Sequence, residues 1–249
     1  MEALASRYAL HHGDSLRVLP TLPAASVDAV ITDPPYSSGG TTAASRTAPT
    51  GSKYVQSGTR HLFPDFDGDT RDQRSWIRWC SLWLSECYRI ARPGAYLLTF
   101  NDWRQLPATS DALQCAGWTW RGVVTWDKTE GARAPHTGYF RHQCEFIAWA
   151  TKGPVPRGDG RGPFPGCFRF PVRKSDKHHQ VGKPTDLMRR LVKAVPPGGV
   201  ILDPFSGSGT TGEAALTEGY GFVGVESNPG YFEVASRRLA DVAAALASN

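Results

Sequence analysis

One stretch of the sequence decides the fold: Gly199-Val200-Ile201-Leu202-Asp203-Pro204-Phe205-Ser206-Gly207-Ser208-Gly209-Thr210-Thr211-Gly212. Its first four residues predict a buried strand, and the residues after it predict a helix that continues over 213–216. Between them, Gly207, Gly209 and Gly212 have the G-x-G-x-x-G spacing of a loop whose backbone approaches a ligand. A strand, a glycine loop and a helix in this order are typical of an α/β protein with a doubly wound, mostly parallel sheet.

The glycine loop alone leaves two kinds of ligand open. The start of its helix favours an anionic group, and Glu226, after a predicted strand over 222–225, is placed to bind ribose hydroxyls. Both features fit a nicotinamide dinucleotide, and hence an NAD(P)-dependent oxidoreductase, as well as S-adenosylmethionine. Asp203 and Phe205 favour S-adenosylmethionine, because a carboxylate and an aromatic face suit its α-amino group and its sulfonium cation.

A second informative stretch, Asp33-Pro34-Pro35-Tyr36, ends the apolar run Ala29-Val30-Ile31-Thr32. A buried strand that stops there delivers these residues to the carboxyl edge of the sheet, where open α/β sheets bind ligands. Because neither proline has an N–H, the stretch offers hydrogen-bond acceptors beside the ring of Tyr36. This combination suits a planar substrate with an amino group, such as a base taken out of a duplex. A strand followed by a plain proline turn is the alternative that these four residues leave open.

Composition and charge narrow the class of protein. The 249 residues, 40% of them hydrophobic, are enough for a single domain spanning residues 1–249 with an insertion. A net charge of +5 favours a polyanionic partner such as DNA. The five cysteines show no C-x-x-C pairing, so we expect neither a disulfide framework nor a metal site. No signal pattern or membrane-length apolar run is found, and we therefore expect a cytoplasmic protein without a membrane partner.

Two segments are predicted to lie outside the sheet. Residues 37–74 are rich in Ser, Thr, Gly and charged residues, which predicts a flexible loop directly after Tyr36, or else a disordered insertion. Residues 151–182 are basic and rich in Pro and Gly, with phenylalanines interleaved, which predicts a small DNA-recognition segment, or else a solvated linker. The candidate DNA contacts are Arg157, Arg161, Arg169, Arg173, Lys174, Lys177 and His178.

The remaining chain predicts alternating helices and strands. Helical spacing of large apolar residues after Trp76 predicts a helix that buries Cys80 and Cys87 and ends at Pro93-Gly94. Further strands are predicted over 8–12, 95–100, 123–126 and 144–150, and further helices over 111–116 and 185–194. Asp14, just after the first of these strands, is either a helix cap or a site residue.

Together these motifs resemble those of a known family. Asp-Pro-Pro-Tyr at 33–36, then Lys183-Pro184, then Asp-Pro-Phe-Ser-Gly-Ser-Gly-Thr-Thr at 203–211 resemble the β group of amino DNA methyltransferases of bacteria and their phages. The resemblance implies a Rossmann-like methyltransferase fold with one antiparallel strand, circularly permuted so that the strand ending at Glu226 neighbours the N-terminal strand. It also implies S-adenosylmethionine as cofactor and double-stranded DNA as partner. A homodimer and a cognate restriction enzyme are further partners that it leaves open.

The resemblance assigns the catalytic motif to residues Asp33, Pro34, Pro35 and Tyr36. Asp33 and the Pro34 carbonyl would accept the two N–H groups of the target amine, and Tyr36 would stack on the flipped base. Because the motif begins with Asp, adenine N6 is favoured over cytosine N4. No metal is implied.

The resemblance also implies a cofactor site. Its residues are Asp14, Lys183, Asp203, Pro204, Phe205, Ser206, Gly207, Gly209, Thr210, Thr211, Glu226 and Ser227. Asp14 would contact the adenine amino group of the cofactor, Lys183 would lie beside its methionine carboxylate, and Glu226 would bind its ribose.

Overall fold

The computed structural model describes residues 7–37, 71–132, 136–155, 161–171 and 183–248. The strands are β1 (Tyr8–His12), β2 (Val27–Thr32), β3 (Ala91–Asn101), β4 (Thr119–Asp127), β5 (Cys144–Thr151), β6 (Cys167–Arg169), β7 (Val200–Asp203) and β8 (Gly221–Glu226). The α-helices are α1 (Ser15–Val18), α2 (Gln73–Ile90), α3 (Leu106–Cys115), α4 (Thr185–Val192), α5 (Thr210–Thr217) and α6 (Pro229–Ala247), and a 3-10 turn covers Leu19–Thr21.

The described strands form one eight-stranded sheet in the order β1-β8-β7-β2-β3-β5-β4-β6. Strand β5 runs antiparallel to both of its neighbours, and the other pairings are parallel. The predicted mostly parallel sheet with one antiparallel strand is therefore confirmed. Strand β1 pairs with β8, so that His12 lies opposite Glu226. This is the pairing on which the predicted circular permutation depends; the permutation itself stays a prediction.

Helices cover both faces of the sheet. Along β2, Val30 packs into a core cluster that includes α2 and α3, whereas its neighbours Ala29 and Ile31 pack into a second cluster that includes α4, α5 and α6. Successive residues of a strand point to opposite faces, so a strand buried on both sides reads as a continuous apolar run. This double coverage confirms the doubly wound α/β class.

Helix α2 begins one turn before the apolar stripe. The Asp72 carboxylate accepts from the backbone N–H groups of Arg74 and Ser75 at 3.0 and 3.1 Å, which makes Asp72 the N-cap. Cys80 and Cys87 are buried as predicted, and burial raises the pKa of both thiols, so they remain neutral core groups.

The predicted end of α2 at Pro93-Gly94 is wrong. The helix ends at Ile90, and β3 begins at Ala91 and includes both Pro93 and Gly94. Ala91 pairs with Val27 of β2, and the register then shifts, so that Ala29 pairs with Tyr96. The extra residues form an irregular stretch of strand, where a proline is tolerated.

Helix α3 spans Leu106–Cys115, so the predicted helix over 111–116 starts too late. The carboxylate of Asp102 accepts from the N–H groups of Arg104 and Gln105, and Pro107 lies in the first helical turn, where its missing N–H has no partner to lose. Helix α4 ends at Val192, two residues before the prediction.

Parts of the two segments that were predicted to lie outside the sheet belong to a helix or to strands. Of residues 37–74, the last two belong to α2, and residues 38–70 lie outside the described residues. Of residues 151–182, Thr151 ends β5 and Cys167–Arg169 form β6, which pairs with β4 at the edge of the sheet. Phe168 and Phe170 pack on the core, so these two rings are not free to meet bases. No helix in the described part of the chain is long and apolar enough to cross a membrane.

Candidate active site

The two sequence motifs meet at the carboxyl edge of the sheet. Strands β2 and β7 are neighbours, and Thr32 at the end of β2 donates its hydroxyl to Asp203 Oδ1 at the end of β7, at 2.7 Å. Both residues are buried. The acceptor stretch that follows Thr32 and the glycine loop that follows Asp203 therefore leave the sheet side by side.

Asp33 is held by one donor on each carboxylate oxygen. The Tyr36 hydroxyl donates to Oδ1, and the ammonium group of Lys183 lies 2.5 Å from Oδ2. Burial raises the pKa of Tyr36 well above its ordinary value, and the Asp33 charge adds to this, so Tyr36 remains a donor. Asp33 is thus oriented by its own motif and by a residue from the start of α4.

Lys183 is the centre of a buried charge cluster. Its side chain is only 6% exposed, and Nζ lies 3.4 Å from Glu145 Oε2 in addition to its bond with Asp33. The same atom is 5.5 and 5.2 Å from the ring centroids of Tyr36 and Phe100. Burial acts to lower the pKa of Lys183, but the carboxylates of Asp33 and Glu145 outweigh it and raise that pKa. Lys183 is therefore a fixed cation.

Sequence reasoning assigned no role to Glu145 or Lys128. Lys128 follows β4 and donates to Glu145 Oε1 at 3.1 Å, whereas Glu145 Oε2 is buried with Lys183 Nζ 3.4 Å away. Burial acts to raise the pKa of Glu145, but Lys183 and Lys128 lower it below its ordinary value. The available signal was a single acidic residue at the start of the apolar strand β5, which runs antiparallel and so begins at the site edge of the sheet.

The pKa of Asp33, unlike that of Glu145, is raised above its ordinary value. Burial is the largest influence and raises the pKa of Asp33, and the nearby Glu145 carboxylate raises it further. Lys183 and the hydroxyl of Tyr36 partly offset this rise. The pKa of Asp33 is therefore raised mainly by burial and adjusted by a lysine and a glutamate that come from elements distant in sequence.

The proline pair is supported from behind by α2. Pro34 is buried, and the indole N–H of Trp76 donates to the Pro35 carbonyl at 2.8 Å. Trp76 is itself buried and belongs to the apolar stripe of α2. Trp76, predicted from the sequence to be a core residue, thus also fixes the backbone of the predicted catalytic motif.

The glycine loop has the backbone that its sequence predicts. Gly207 and Gly209 have φ values of +52° and +85°, a region in which glycine is favoured. Gly212 serves packing, because a Cβ there would lie 2.6 Å from the ring of Phe222 and 2.7 Å from Leu239. In the middle of the loop, the Ser206 hydroxyl is buried without a hydrogen-bond partner in the described part of the chain.

Asp203 is saturated by internal donors. Besides Thr32, it accepts from the Phe205 N–H at 3.0 Å and from the Thr211 hydroxyl at 2.6 Å. Burial raises the pKa of Asp203 to about 6 despite these bonds. The residue therefore ties the end of β7 to the start of α5, and a role toward a ligand's amino group stays a prediction.

Glu226 ends β8, and Asp14 follows the neighbouring strand β1. The Glu226 carboxylate accepts from the N–H of Gly207 at 2.8 Å and of Asn228 at 2.7 Å. Burial raises the pKa of Glu226, and these N–H groups oppose the rise. Asp14 is exposed and accepts from the Leu16 N–H at 2.9 Å, so the helix-cap alternative is observed. An open cavity of about 610 Å³ lies beside it, lined by Asp14 and Arg17 but by no residue of the described glycine loop.

The other predicted cofactor residues surround this loop. Phe205 packs on the α2 indoles, with ring centroids 5.3 Å from Trp79 and 5.1 Å from Trp83. The Pro204 carbonyl accepts from Ser15, Ser227 is exposed, and Thr210 begins α5. Lys183 contacts Asp33 and Glu145, and its predicted position beside the cofactor's methionine carboxylate stays a prediction.

The predicted DNA contacts are only partly described. Arg169 is exposed on β6 and lies 3.5 Å from Asp127, whereas the Arg161 guanidinium donates to the Ala194 carbonyl beyond the end of α4. Arg157, Arg173, Lys174, Lys177 and His178 lie outside the described residues. Across the described ranges, no group of three His, Cys, Asp or Glu side chains is placed to hold a metal ion.

Solved structures share this architecture. The fold matches the M1.HpyAVI–SAM complex over 93% of this chain and 98% of that one, with a TM-score of 0.66 at 21% identity. It matches the cytosine-N4-specific PvuII DNA methyltransferase over 96% of this chain and 92% of that one, with a TM-score of 0.67 at 16% identity. These matches assign the protein to the α/β fold that these two methyltransferases share.

The chain belongs to the DNA methylase family, whose model matches residues 27–237. It is 29% identical to the methylase YubD of Escherichia coli (strain K12) over 235 residues, covering 94% of this chain and 91% of the relative. It is 27% identical to the type II methyltransferase M2.DpnII of Streptococcus pneumoniae over 248 residues, covering 92% of this chain and 88% of the relative. The protein is therefore a DNA methyltransferase, and the resemblance drawn from its motifs is confirmed.

Proposed function

We propose that the protein transfers a methyl group from S-adenosylmethionine to the exocyclic N6 of an adenine flipped out of double-stranded DNA. The observation that carries the proposal is the junction of the two motifs. Thr32 and Asp203 are hydrogen-bonded at 2.7 Å, so the acceptor group of Asp33 and the glycine loop start from adjacent strand ends. A planar amine at Asp33 and a ligand on the loop would then be neighbours.

The residues fit that cofactor. The positive-φ glycines leave the loop backbone open to a ligand, and the buried Ser206 hydroxyl has hydrogen-bonding capacity to spare. Glu226 lies one strand away and is bound only by backbone N–H groups, which ribose hydroxyls could replace. When bound, the cofactor supplies an electrophilic methyl group at its sulfonium. Asp14, Phe205 and Glu226 are the residues that we propose hold it.

The chemistry at the amine depends on acceptors. An ionised carboxylate has about four lone-pair positions, and Tyr36 and Lys183 use one on each oxygen of Asp33. One N–H of the target amine can still bond to Asp33, and the other to the Pro34 carbonyl. Two acceptors favour a pyramidal nitrogen, whose lone pair is then no longer delocalised into the ring and can point at the methyl donor.

The proton leaves after methylation. A neutral exocyclic amine is far too weak an acid for Asp33 to deprotonate first, but the methylated, cationic nitrogen releases its proton readily to Asp33 or solvent. Lys183 holds Asp33 in its ionised, acceptor form and so preserves both functions.

Adenine N6 is supported by the Asp that begins the catalytic motif, and cytosine N4 is the alternative. The fold match to a cytosine-N4-specific enzyme is consistent with that alternative. An oxidoreductase would belong to a different family from the one to which the chain belongs.

We further propose that residues 151–182 contribute to DNA recognition through Arg169 and that the enzyme works on bacterial DNA in the cytoplasm. The homodimer and the cognate restriction enzyme stay predictions.

Nucleoside analysis tests the proposal. The protein is incubated with methyl-labelled S-adenosylmethionine and unmethylated DNA, and the DNA is digested to nucleosides and separated. Label in N6-methyldeoxyadenosine is expected. Label in N4-methyldeoxycytidine would replace the adenine proposal with its alternative, and no label in DNA would remove the proposed reaction.

A further inference from the structure

Three large aromatic side chains lie exposed around the site edge of the sheet. Phe140 is 95% exposed, Tyr139 69% and Trp103 54%. Large aromatic side chains that are this exposed at one edge of a sheet are candidates for a binding surface. We refer to Trp103, Tyr139 and Phe140 as the aromatic rim.

The topology places the rim beside the site. Trp103 follows β3, whose last residues lie next to the end of β2. Tyr139 and Phe140 lie in the loop between β4 and β5, and because β4 runs parallel to β3, this loop is at the same edge. Other exposed aromatic residues lie elsewhere; Trp120, for example, is at the start of β4, at the opposite edge.

The base of the β4–β5 loop is attached to the catalytic residues. Lys128 and Glu145, at its two ends, are 3.1 Å apart, and Glu145 lies 3.4 Å from Lys183, the partner of Asp33. The Lys128 N–H also donates to the Gln143 carbonyl at 2.8 Å. The loop that carries Tyr139 and Phe140 thus begins and ends at the active site.

Basic groups accompany the rim. The Arg104 guanidinium lies 4.7 Å over the ring of Trp103, and Arg141 follows Phe140 directly. The same two segments also carry the acids Asp102, which pairs with Arg104 at 3.3 Å, and Glu130, so the charges around the rim balance and its exposed rings are its distinguishing feature. Exposed rings next to guanidinium groups are the combination that binds bases and phosphates together.

We propose that the aromatic rim enters the base stack of double-stranded DNA at the step opened by the extruded target base, with Phe140 as the leading side chain. The inference rests on the proposed function. Extruding a base costs unstacking and unpairing energy, and an apolar side chain inserted at the vacated step offsets part of that cost. The alternative is that the aromatic rim contacts a second copy of this chain.

The test first identifies the methylated sequence by long-read sequencing of DNA from cells that express the protein. Short duplexes with that sequence are then made in two forms, one with the target base correctly paired and one with it mispaired. Phe140→Ala, Tyr139→Ala and Trp103→Ala are compared with wild type on both. Trp120→Ala is the matched control, since its ring is 41% exposed and lies away from the site. Phe140→Trp tests whether another flat ring restores function.

On the paired duplex, Phe140→Ala is expected to lower kcat/KM about 5- to 150-fold, the range found when a base-stacking side chain is removed. The defect should shrink to within about threefold on the mispaired duplex, because a mispaired base is easier to extrude. Phe140→Trp should restore most of the activity, and Trp120→Ala should match wild type. Calorimetric binding of S-adenosylmethionine should be unchanged in every variant.

Equal defects on both duplexes would overturn the inference, as would rim variants that behave like Trp120→Ala. A change in sedimentation without a change in methylation would instead make the rim a contact between copies. Wild-type protein that methylates neither duplex nor bulk DNA would overturn the proposed function itself, a result distinct from the others.

Discussion

Lys183 Nζ lies 2.5 Å from Asp33 Oδ2, so the predicted catalytic carboxylate is paired with a cation 150 residues further along the chain. The side chain of Lys183 lies between Asp33 and Glu145, and its role beside the cofactor's carboxylate, which the motif resemblance implies, stays a prediction. An ammonium in this position keeps Asp33 ionised and fixes its orientation. The pair therefore links the end of β2 to the start of α4 and to β5.

Replacing Lys183 with Met should impair both stability and activity. Asp33 and Glu145 would lose their shared cation, and the variant should be destabilised by about 2 kcal/mol or more, less than for a fully buried pair because both acids are partly exposed. The pKa of Asp33 should rise, which moves the acid limb of the kcat/KM profile to higher pH. Denaturant unfolding and pH–rate profiles measure the two effects.

Lys193→Met is the matched control. Lys193 pairs with Glu218 at 2.9 Å on the surface, so its loss should change stability by no more than about 0.5 kcal/mol and leave the pH profile in place. Equal effects of the two lysine variants would contradict a special role for Lys183.

Glu145→Gln should shift the acid limb in the opposite direction. The Glu145 carboxylate raises the pKa of Asp33, so its removal lowers that pKa. Asp33 then stays ionised to lower pH, and kcat/KM should persist further into the acid range. A limb that stays in place, or moves to higher pH, would show that Glu145 does not act on Asp33. The isosteric amide keeps the side-chain volume, so a packing defect is not expected.

Asp33→Ala should abolish turnover without removing cofactor binding. The variant loses an acceptor for the amine and the group that orients it, and the rate should fall by about 10²- to 10⁴-fold. Calorimetry with S-adenosylmethionine provides the second measurement. If cofactor binding were lost with turnover, Asp33 would belong to the cofactor site instead.

Asp203→Asn should remove a pH-dependent part of the stability. Burial raises the pKa of Asp203 from 3.8 to about 6, so the folded protein binds this proton more tightly than the unfolded chain. The contribution of Asp203 to stability is therefore greatest below pH 3.8 and is lost as the pH rises through 6, a change of about 1–3 kcal/mol. Relative to wild type, Asp203→Asn should be more stable at pH 7 than at pH 4.5. Denaturant midpoints at both values provide the comparison, and a pH-independent difference would contradict it.

Gly212→Ala should destabilise the fold although alanine favours helices. The added Cβ would lie 2.6 Å from the Phe222 ring, and overpacking of this kind costs about 1–3 kcal/mol. Gly166→Ala, where nothing lies within 4 Å of the added Cβ, should be nearly neutral. Unfolding midpoints that fall equally in both variants would mean that close packing of α5 is not the cause.

Local sequence was sufficient for the existence of most strands and helices and for the two motifs. The apolar run that ends at Thr32 and the glycine spacing after Asp203 are short-range patterns, and each depends only on residues within one strand, turn or helix. For the same reason the burial of Cys80 and Cys87 was predictable from helical spacing. The residue at which α2 ends was not predictable. The pairing of Ala91 with Val27 of β2 is a tertiary contact, and it begins the strand before the chain reaches Pro93-Gly94.

Only the tertiary structure decided how the charges of the site are arranged. Asp33, Lys128, Glu145 and Lys183 come from four separate parts of the chain, and no local spacing relates them. They meet because parallel strands bring their carboxyl ends to one edge and the antiparallel β5 brings its first residues to the same edge. The motifs thus predicted from sequence alone a carboxylate that binds an amine, and the fold determined which buried cation and which second carboxylate lie beside it.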